Sequence, residues 1–228
     1  MPTVSILGCG WIGQTLAETI DTSKYKVHCL SRNSEENIKE DRYSCNSLVI
    51  AIPPRDNYLE VLTQTLEQTH PDTQIILLSS ISFYDGKPLV IEAEALVQSL
   101  YEEAVVLRLG GLMGYDRIAG KYTAGTVLTS DSRTNYVHRD DVVSILNNII
   151  RQNIRDEVFD VVAPVQSTKK EIFTQNAKQF GFKETEFLNG DTAGKKLAPT
   201  KLCEMLEYVF VKEDVRRFWY LFSGVIIL

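Results

Sequence analysis

The residues most suited to chemistry begin with a glycine motif near the start of the chain. Gly8, Gly10 and Gly13 follow a short apolar run and precede a helical pattern. In that setting the first glycine allows a tight turn, the second lets a pyrophosphate approach the backbone, and the third allows close packing of helix on strand. The motif therefore predicts a dinucleotide site, with a merely tight strand–helix turn as the alternative. The cofactor contacts predicted within it are Gly8, Gly10, Trp11, Ile12 and Gly13.

The end of the second apolar run bears on which dinucleotide is preferred. A ribose with a free 2′-OH usually meets an Asp or Glu about 20 residues beyond the glycines. This chain has Ser31, Arg32 and Asn33 there. A guanidinium can pair with a 2′-phosphate, and the two neighbours can donate hydrogen bonds to it. We therefore expect NADP, with NAD as the alternative if Arg32 is only a solvated surface charge.

A third apolar run ends in Ala51-Ile52-Pro53-Pro54. Ala51, Ile52 and Pro53 could form a backbone wall against a ribose of the cofactor. A strand that is simply ended by prolines explains the same residues equally well. Both interpretations stay open at this point.

Alternating strands and helices must position these residues. Apolar, β-branched runs predict strands at 4–7, 26–30, 47–52, 74–79, 104–109 and 158–162. Apolar residues at helical spacing predict helices at 12–20, 57–69, 92–101, 141–150 and 169–180. Such alternation predicts an α/β protein with a Rossmann-type, doubly wound parallel sheet.

The regularity of the pattern also suggests a division of the chain. Residues 1–160 are expected to form the dinucleotide-binding domain, and residues 161–228 a small C-terminal substrate lobe. The glycine-rich, polar stretch 110–135 lacks clear periodicity and is expected to belong partly to that lobe. In open α/β sheets, ligands bind at the carboxyl ends of the strands, where we expect the lobe to rest.

Bulk composition limits the partners. The 228 residues carry a net charge of −6, and 44% of them are hydrophobic. This balance argues against nucleic acid or an anionic membrane surface and favours a small-molecule partner. The apolar stretch 218–228 is too short to span a bilayer, which needs roughly 20 residues. We expect it to pack against the core or against a partner subunit, which would make a homodimer.

The cysteines and histidines carry two further expectations. The cysteines share no CxxC spacing, and the chain start has no basic leader, so reduced thiols in a cytoplasmic protein are expected. The histidines are widely spaced and lack neighbouring ligands, so no metal site is expected. The residues concerned are Cys9, Cys29, Cys45 and Cys203, with His28, His70 and His138.

Four stretches, in the expected order, resemble the extended and atypical short-chain dehydrogenase/reductases, the NAD(P)-dependent epimerase/dehydratase group. They are residues 8–13, 78–84, 106–114 and 135–142, with a weaker echo at 195–202. The resemblance implies that Ser80 is the catalytic hydroxyl that hydrogen-bonds the reacting oxygen. It also implies that Ser79 and Gly110 lie along the cofactor, and that Arg108 is on the strand leading to the nicotinamide.

The same resemblance implies a structural role for His138 and Asp141, which match an element that begins the next helix. From the residues alone, Asp140 or Asp141 can also be interpreted as a helix N-cap before an apolar face. We assign His138 to structure rather than to catalysis.

One departure from the family pattern bears on catalysis. The family's reductases use a Tyr-x-x-x-Lys pair, but Gly86 and Val90 stand where the two residues should be. Tyr84 and Lys87 lie close by, yet they are three apart and a turn is expected between them. Tyr84 is the best candidate for the acid, with a packed aromatic at the pocket edge as the alternative.

Two functions are consistent with these residues. The first is an atypical NADP-dependent oxidoreductase or epimerase-like enzyme acting on a small polyol, sugar-derived or carbonyl substrate. The second is a catalytically inactive dinucleotide-binding sensor or scaffold. The retained Ser80 favours the first, and the missing Tyr-x-x-x-Lys pair favours the second.

Overall fold

The computed structural model describes residues 1–30, 34–39, 41–192 and 194–219. Its strands are β1 (Thr3–Leu7), β2 (Lys26–Leu30), β3 (Ser47–Ile50), β4 (Gln74–Ser80), β5 (Val105–Leu109), β6 (Gly111–Met113), β7 (Val127–Ser132), β8 (Tyr136–His138), β9 (Glu157–Val161) and β10 (Glu186–Thr192). Its helices are α1 (Gly13–Thr19), α2 (Ser34–Lys39), α3 (Tyr58–Gln68), α4 (Pro88–Leu100), α5 (Arg139–Gln152), α6 (Lys169–Phe180) and α7 (Thr200–Leu206).

Six strands form the main sheet, in the order β2-β1-β3-β4-β5-β9. β1 pairs in parallel with β2 and β3, β3 with β4, and β4 with β5. In β3 the consecutive residues Leu48, Val49 and Ile50 are all fully buried. Because neighbouring strand residues point to opposite faces, both faces of the sheet are covered. The expected Rossmann-type, doubly wound α/β fold is confirmed.

The strand order places a topological switch point at β1. From β1 the chain runs to β2 on one side, and it then returns to β3 on the other side. A crevice therefore opens beyond the carboxyl ends of β1 and β3, which is where open α/β sheets bind ligands. The glycine motif follows β1 directly, so the fold positions it at this crevice.

The expected strands and helices of the main sheet are present, with small differences in their ends. α4 was expected to begin at residue 92 but begins at Pro88. A proline is tolerated in the first turn because its missing N–H would have had no partner there. The helices α2 and α7 were not expected from the sequence, since with six and seven residues they are too short to show a clear periodicity.

The described chain separates into two compact units. The first contains residues Met1–Leu109 and Val143–Phe159. Its core is built from buried apolar side chains of the sheet and of α3 and α4, including Leu7, Leu62 and Val97.

The second unit contains Gly110–Val142 and the described part of residues 160–219. Two short parallel strand pairs, β6 with β8 and β7 with β10, belong to it, although no strand was expected over 110–135. Phe218 and Trp219, the described start of the apolar tail, lie in its core. Trp219 is 1% exposed, and its indole N–H donates to the Arg117 carbonyl oxygen at 3.2 Å. The remainder of the tail lies outside the described residues.

Asp141 lies within α5 and is not its N-cap, contrary to one of the two assignments that the sequence allows. α5 begins at Arg139, so Asp140 and Asp141 lie inside its first turn. The buried Asp141 carboxylate accepts hydrogen bonds from the Tyr208 hydroxyl at 2.8 Å and from the backbone N–H groups of Val211 and Lys212 at 2.8 and 3.0 Å. These hydrogen bonds therefore hold the segment after α7 against α5.

None of the described helices is both long enough and apolar enough to cross a membrane.

Candidate functional site

The glycine turn after β1 is shaped by two close approaches. Gly8 has φ +100°, a conformation that side-chain-bearing residues rarely adopt. A Cβ at Gly8 would lie 2.8 Å from Ile52 Cγ2 and 2.9 Å from the Ala51 carbonyl carbon. A Cβ at Gly13 would overlap the Gly8 carbonyl oxygen and lie 3.0 Å from Ile6 Cγ2. Both positions therefore require glycine for the turn to keep its shape.

Gly10 differs from these two glycines because the space beside it is open. A Cβ at Gly10 would have no atom within 4 Å, and the residue is exposed. Its backbone is nevertheless held, since Gly10 N–H donates to the Gly8 carbonyl and Gln14 N–H donates to the Gly10 carbonyl, both at 2.8 Å. The turn thus presents fixed, accessible backbone, which is the form that a pyrophosphate needs.

The other residues predicted to contact the cofactor fall into three groups. Ala51 and Ile52 lie directly against Gly8, so the structure brings the wall and the turn together. Trp11 is half-buried and Ile12 is buried, whereas Pro53 is exposed. The predicted 2′-phosphate contacts Ser31, Arg32 and Asn33 lie outside the described residues.

The expectation that all cysteines are reduced thiols was wrong for two of them. Cys9 and Cys29 form a disulfide, with their Cα atoms 5.8 Å apart. The parallel register pairs Ile6 of β1 with Cys29 of β2, and the Gly8 turn begins just beyond β1. Adjacent parallel strands thus bring together two residues that are 20 apart in sequence. Cys45 and Cys203 are free thiols.

The carboxyl end of β4 places two serines in different surroundings. The Ser79 hydroxyl donates to the Glu94 carboxylate on α4, and Glu94 is only 2% exposed. Ser80 caps a short 3₁₀ turn over Ile81–Asp85. Its hydroxyl oxygen accepts hydrogen bonds from the Ser82 backbone N–H at 3.2 Å and from the Ser82 hydroxyl at 3.0 Å. The predicted catalytic Ser80 is therefore held in place by its own turn.

Glu94 also binds Arg108 of β5. Arg108 Nε donates to Glu94 Oε2 at 3.1 Å, and Nη2 donates to the same oxygen at 2.8 Å. The guanidinium carbon lies 3.5 Å from the centre of the Phe83 ring, which is a cation–π contact. Burial lowers the pKa of Arg108, but hydrogen bonds to Glu94 and Tyr84 outweigh that effect and raise it. The guanidinium is thus a fixed positive charge.

Tyr84 lies at the open side of this cluster. Arg108 Nη1 donates to the Tyr84 hydroxyl oxygen at 3.1 Å, and Tyr84 is 43% exposed. Gly86 follows the 3₁₀ turn in a left-handed conformation, and Lys87 precedes α4. Tyr84 and Lys87 therefore do not share a helix, and Arg108 is a cation that contacts the phenol.

The contact between Glu94, Arg108 and Tyr84 was not foreseen from the sequence. The signal that could have revealed it is the setting of Glu94 between Ala93 and Ala95, on the buried side of an apolar helix. An isolated carboxylate on such a face is costly unless a cation pairs with it. The setting of Glu94 therefore indicates that a cation on a neighbouring strand pairs with it.

Within the second unit, the contacts of Gly110 and His138 indicate that both residues serve packing. A Cβ at Gly110 would overlap the Asn135 carbonyl oxygen, so close packing of backbone on backbone explains this glycine. His138 is 2% exposed and packs beside the rings of Tyr115 and Phe218. Burial lowers the pKa of His138 to about 4, so its imidazole is neutral at pH 7.

Among the described residues there is no cluster of three or more His, Cys, Asp or Glu side chains suited to a metal ion.

Comparison of the sequence with known proteins gives a distant similarity. No family model matches the chain. Protein YeeZ of Escherichia coli strain K12 is 23% identical over 268 residues, covering 94% of this chain and 97% of YeeZ. The similarity extends along nearly the whole of both chains.

Solved structures share the fold more clearly. A putative NAD-dependent epimerase/dehydratase from Methylobacillus flagellatus has a TM-score of 0.75 at 17% identity, with 96% of each chain covered. The human epimerase family protein SDR39U1 (isoform 2), solved with NADPH, has a TM-score of 0.71 at 14% identity, covering 95% of this chain and 97% of that one. UDP-glucuronic acid 4-epimerase from Bacillus cereus, solved with NAD, has a TM-score of 0.70 at 16% identity, covering 91% and 93%. The resemblance to the epimerase/dehydratase group is confirmed at the level of the fold.

Proposed function

We propose that this protein binds a nicotinamide dinucleotide, preferentially NADP, and acts as an atypical short-chain oxidoreductase or epimerase-like enzyme. The substrate class is a small polyol, sugar-derived or carbonyl compound. The observation that carries the proposal is the open backbone at Gly10, held in a fixed turn at the switch point of a parallel sheet.

The residues of the turn fit a dinucleotide. The pyrophosphate would lie against the accessible backbone of Gly10, while Gly8 and Gly13 let the turn close beneath it. Ala51 and Ile52, in contact with Gly8, would form the wall beside the ribose. Arg32 would pair with the 2′-phosphate, which distinguishes NADP from NAD. One structural neighbour was solved with NADPH and another with NAD, so both forms are compatible with this fold.

A bound nicotinamide would supply the site where a hydride is accepted or donated. The chain would supply the proton and hold the substrate oxygen. Ser80 has a hydroxyl proton to donate to that oxygen, since its own oxygen already accepts two hydrogen bonds. Tyr84 is 43% exposed and would serve as the acid or base.

Arg108 would replace the family's lysine as the positive charge beside the tyrosine phenol. Its Nη1 contacts the phenol oxygen, so the positive charge favours the phenolate once the proton has left. Glu94 engages Nε and Nη2 and leaves Nη1 for Tyr84. The carboxylate partly offsets the positive charge, so we expect a smaller effect than a lone lysine would have. Arg108 and Glu94 are positioning residues for Tyr84 in this proposal.

The second candidate is a dinucleotide-binding sensor or scaffold without turnover. It is favoured by Gly86 and Val90, which stand where the family has its Tyr-x-x-x-Lys pair, and by the engagement of Ser80 with Ser82 inside a single turn. Under this alternative the cluster around Arg108 would stabilise the end of β5 and would have no chemical role.

Turnover separates the two candidates. NADPH absorbance would be followed with a panel of aldehydes, ketones and sugar-derived carbonyl compounds. Tyr84→Phe should abolish turnover while leaving cofactor affinity intact, and Tyr122→Phe, at an exposed tyrosine of the second unit, should have no effect. Retained turnover in Tyr84→Phe would remove Tyr84 from the mechanism. Tight cofactor binding without turnover on any substrate would favour the sensor.

A further inference from the structure

The disulfide between Cys9 and Cys29 lies within the proposed dinucleotide site itself. Cys9 stands between Gly8, which forms the turn, and Gly10, whose backbone is open. Cys29 is the penultimate residue of β2, directly before Leu30 and the segment predicted to contact the 2′-phosphate. The bond thus joins the turn that would hold the pyrophosphate to the strand that leads to the predicted 2′-phosphate segment.

The positions of the four cysteines make this pair the reactive one. Cys29 is exposed and Cys9 is half-buried, so a small thiol or disulfide can reach them. Cys45 is buried, and burial raises the pKa of its thiol. Burial also raises the pKa of the Cys203 thiol, so less of the reactive thiolate is present at pH 7.

We propose that Cys9 and Cys29 form a thiol–disulfide exchange site for low-molecular-weight disulfides such as oxidised glutathione, and that the bonded form binds the dinucleotide more tightly than the reduced form. The second half of this proposal rests on the proposed function. The first half rests on the bond between the two cysteines and on the exposure of the two residues.

The exchange balances with oxidised glutathione as the oxidant. The Cys29 thiolate, the more exposed of the two, attacks one glutathione sulfur, forms a mixed disulfide and releases one glutathione thiol. The Cys9 thiolate then attacks the Cys29 sulfur, closes the intramolecular bond and releases the second glutathione. Two protein thiols are oxidised, and one glutathione disulfide is reduced to two thiols. Excess reduced glutathione reverses both steps.

The bond would affect affinity through the shape of the turn. In the bonded form, the backbone on either side of Cys9 is tied to β2 while Gly10 stays open to a ligand. Without the bond, the glycine-rich turn gains freedom that must be lost again when the dinucleotide binds. We expect the reduced protein to bind NADPH about fivefold more weakly. By linkage, bound NADPH should make the disulfide harder to reduce by the same factor.

The exchange site is tested without any dinucleotide. The protein is equilibrated in glutathione buffers of different ratios, free thiols are alkylated, and peptides are identified by mass spectrometry. A reversible cross-link between the peptides that contain Cys9 and Cys29 is expected, and it should persist in Cys203→Ser. The absence of that cross-link at every ratio, in the wild type and in Cys203→Ser, would overturn the proposal.

The coupling is tested by titrating NADPH into oxidised and reduced wild-type protein. Weaker binding to the reduced form supports the proposal, and Cys29→Ser should bind equally weakly under both conditions. Equal or tighter binding to the reduced wild type overturns the coupling and leaves the proposed function intact. A lack of binding in both forms overturns the proposed function together with the coupling. The wild-type comparison decides the matter even if a cysteine variant does not fold.

Discussion

The Glu94 carboxylate holds the Arg108 guanidinium from one side, and the remaining Nη1 of that guanidinium donates to Tyr84 at 3.1 Å. The relationship joins α4 to β5, and both groups are largely buried. A buried ion pair is itself weak evidence of stability, but removal of one partner leaves a charge without compensation. The effect of the pair on stability can therefore be measured separately from any catalytic activity.

Glu94→Gln should destabilise the protein by about 3 kcal/mol, because it leaves the Arg108 charge without a carboxylate. The double variant Glu94→Leu/Arg108→Met should lose less stability than Glu94→Gln alone, because no charge is left buried. Denaturant unfolding of the variants measures both effects. A double variant that is as unstable as the sum of its component single variants, Glu94→Leu and Arg108→Met, would contradict this account of the pair.

Gly10→Ala should fold as well as the wild type and lose dinucleotide affinity. The added methyl group meets no protein atom within 4 Å, so it would obstruct only a ligand. Gly190→Ala is the matched control, because a Cβ at Gly190 also meets nothing. Thermal unfolding and NADPH titration of the two variants check this prediction. Equal affinities would mean that the pyrophosphate does not approach Gly10.

Arg32→Ala should weaken NADPH binding about tenfold or more and leave NADH binding nearly unchanged. The guanidinium would contribute a charge-assisted hydrogen bond to the 2′-phosphate, which NADH lacks. Lys26→Ala, on the exposed start of β2, serves as the control for a general loss of positive charge. Similar losses for both cofactors would remove Arg32 from the 2′-phosphate site.

His138 should make stability depend on pH. Burial lowers its pKa to about 4 in the folded protein, whereas the ordinary value is 6.5. The unfolded chain therefore binds more protons between these values, and stability should fall as pH drops from 6.5 towards 4, by up to about 3 kcal/mol. The unfolding free energy, measured across this pH range, should depend less on pH in His138→Gln than in the wild type. His70→Gln, at an exposed histidine, is the control variant.

The main sheet could be predicted from the sequence because its strands are short, apolar and regularly separated by amphipathic helices. The run 47–52, for example, is nearly all apolar, which is typical of a strand that is buried on both faces, and the structure has a strand over Ser47–Ile50. The short pairs formed by β6, β7, β8 and β10 could not be predicted. β7 reads Val-Leu-Thr-Ser-Asp-Ser, which has little apolar content, and its partner β10 lies far along the chain, beyond α5, β9 and α6.

Site residues could likewise be predicted only where neighbouring residues in the sequence form a known motif. Gly8, Gly10 and Gly13 have a known spacing, and the turn they predict is present. The apolar surroundings of Glu94 indicate that it needs a cation partner, but that this partner is Arg108 depends on how α4 lies against β5, which no local pattern encodes. The Cys9–Cys29 bond was missed because the two cysteines, 20 residues apart in sequence, meet only through strand pairing. The expected cytoplasmic location rested partly on reduced cysteines, so this bond removes part of its support.

The central claim is tested most directly by calorimetric titration of the purified protein with NADPH, NADP, NADH and NAD in parallel. We predict binding of all four ligands at the glycine turn, with the two phosphorylated forms at least about tenfold tighter, because only they offer a 2′-phosphate to Arg32. Preference for NADH and NAD would contradict the assignment of Arg32. The absence of binding by any of the four would contradict the dinucleotide site itself, and would mean that the fold has kept the glycine turn without its ligand.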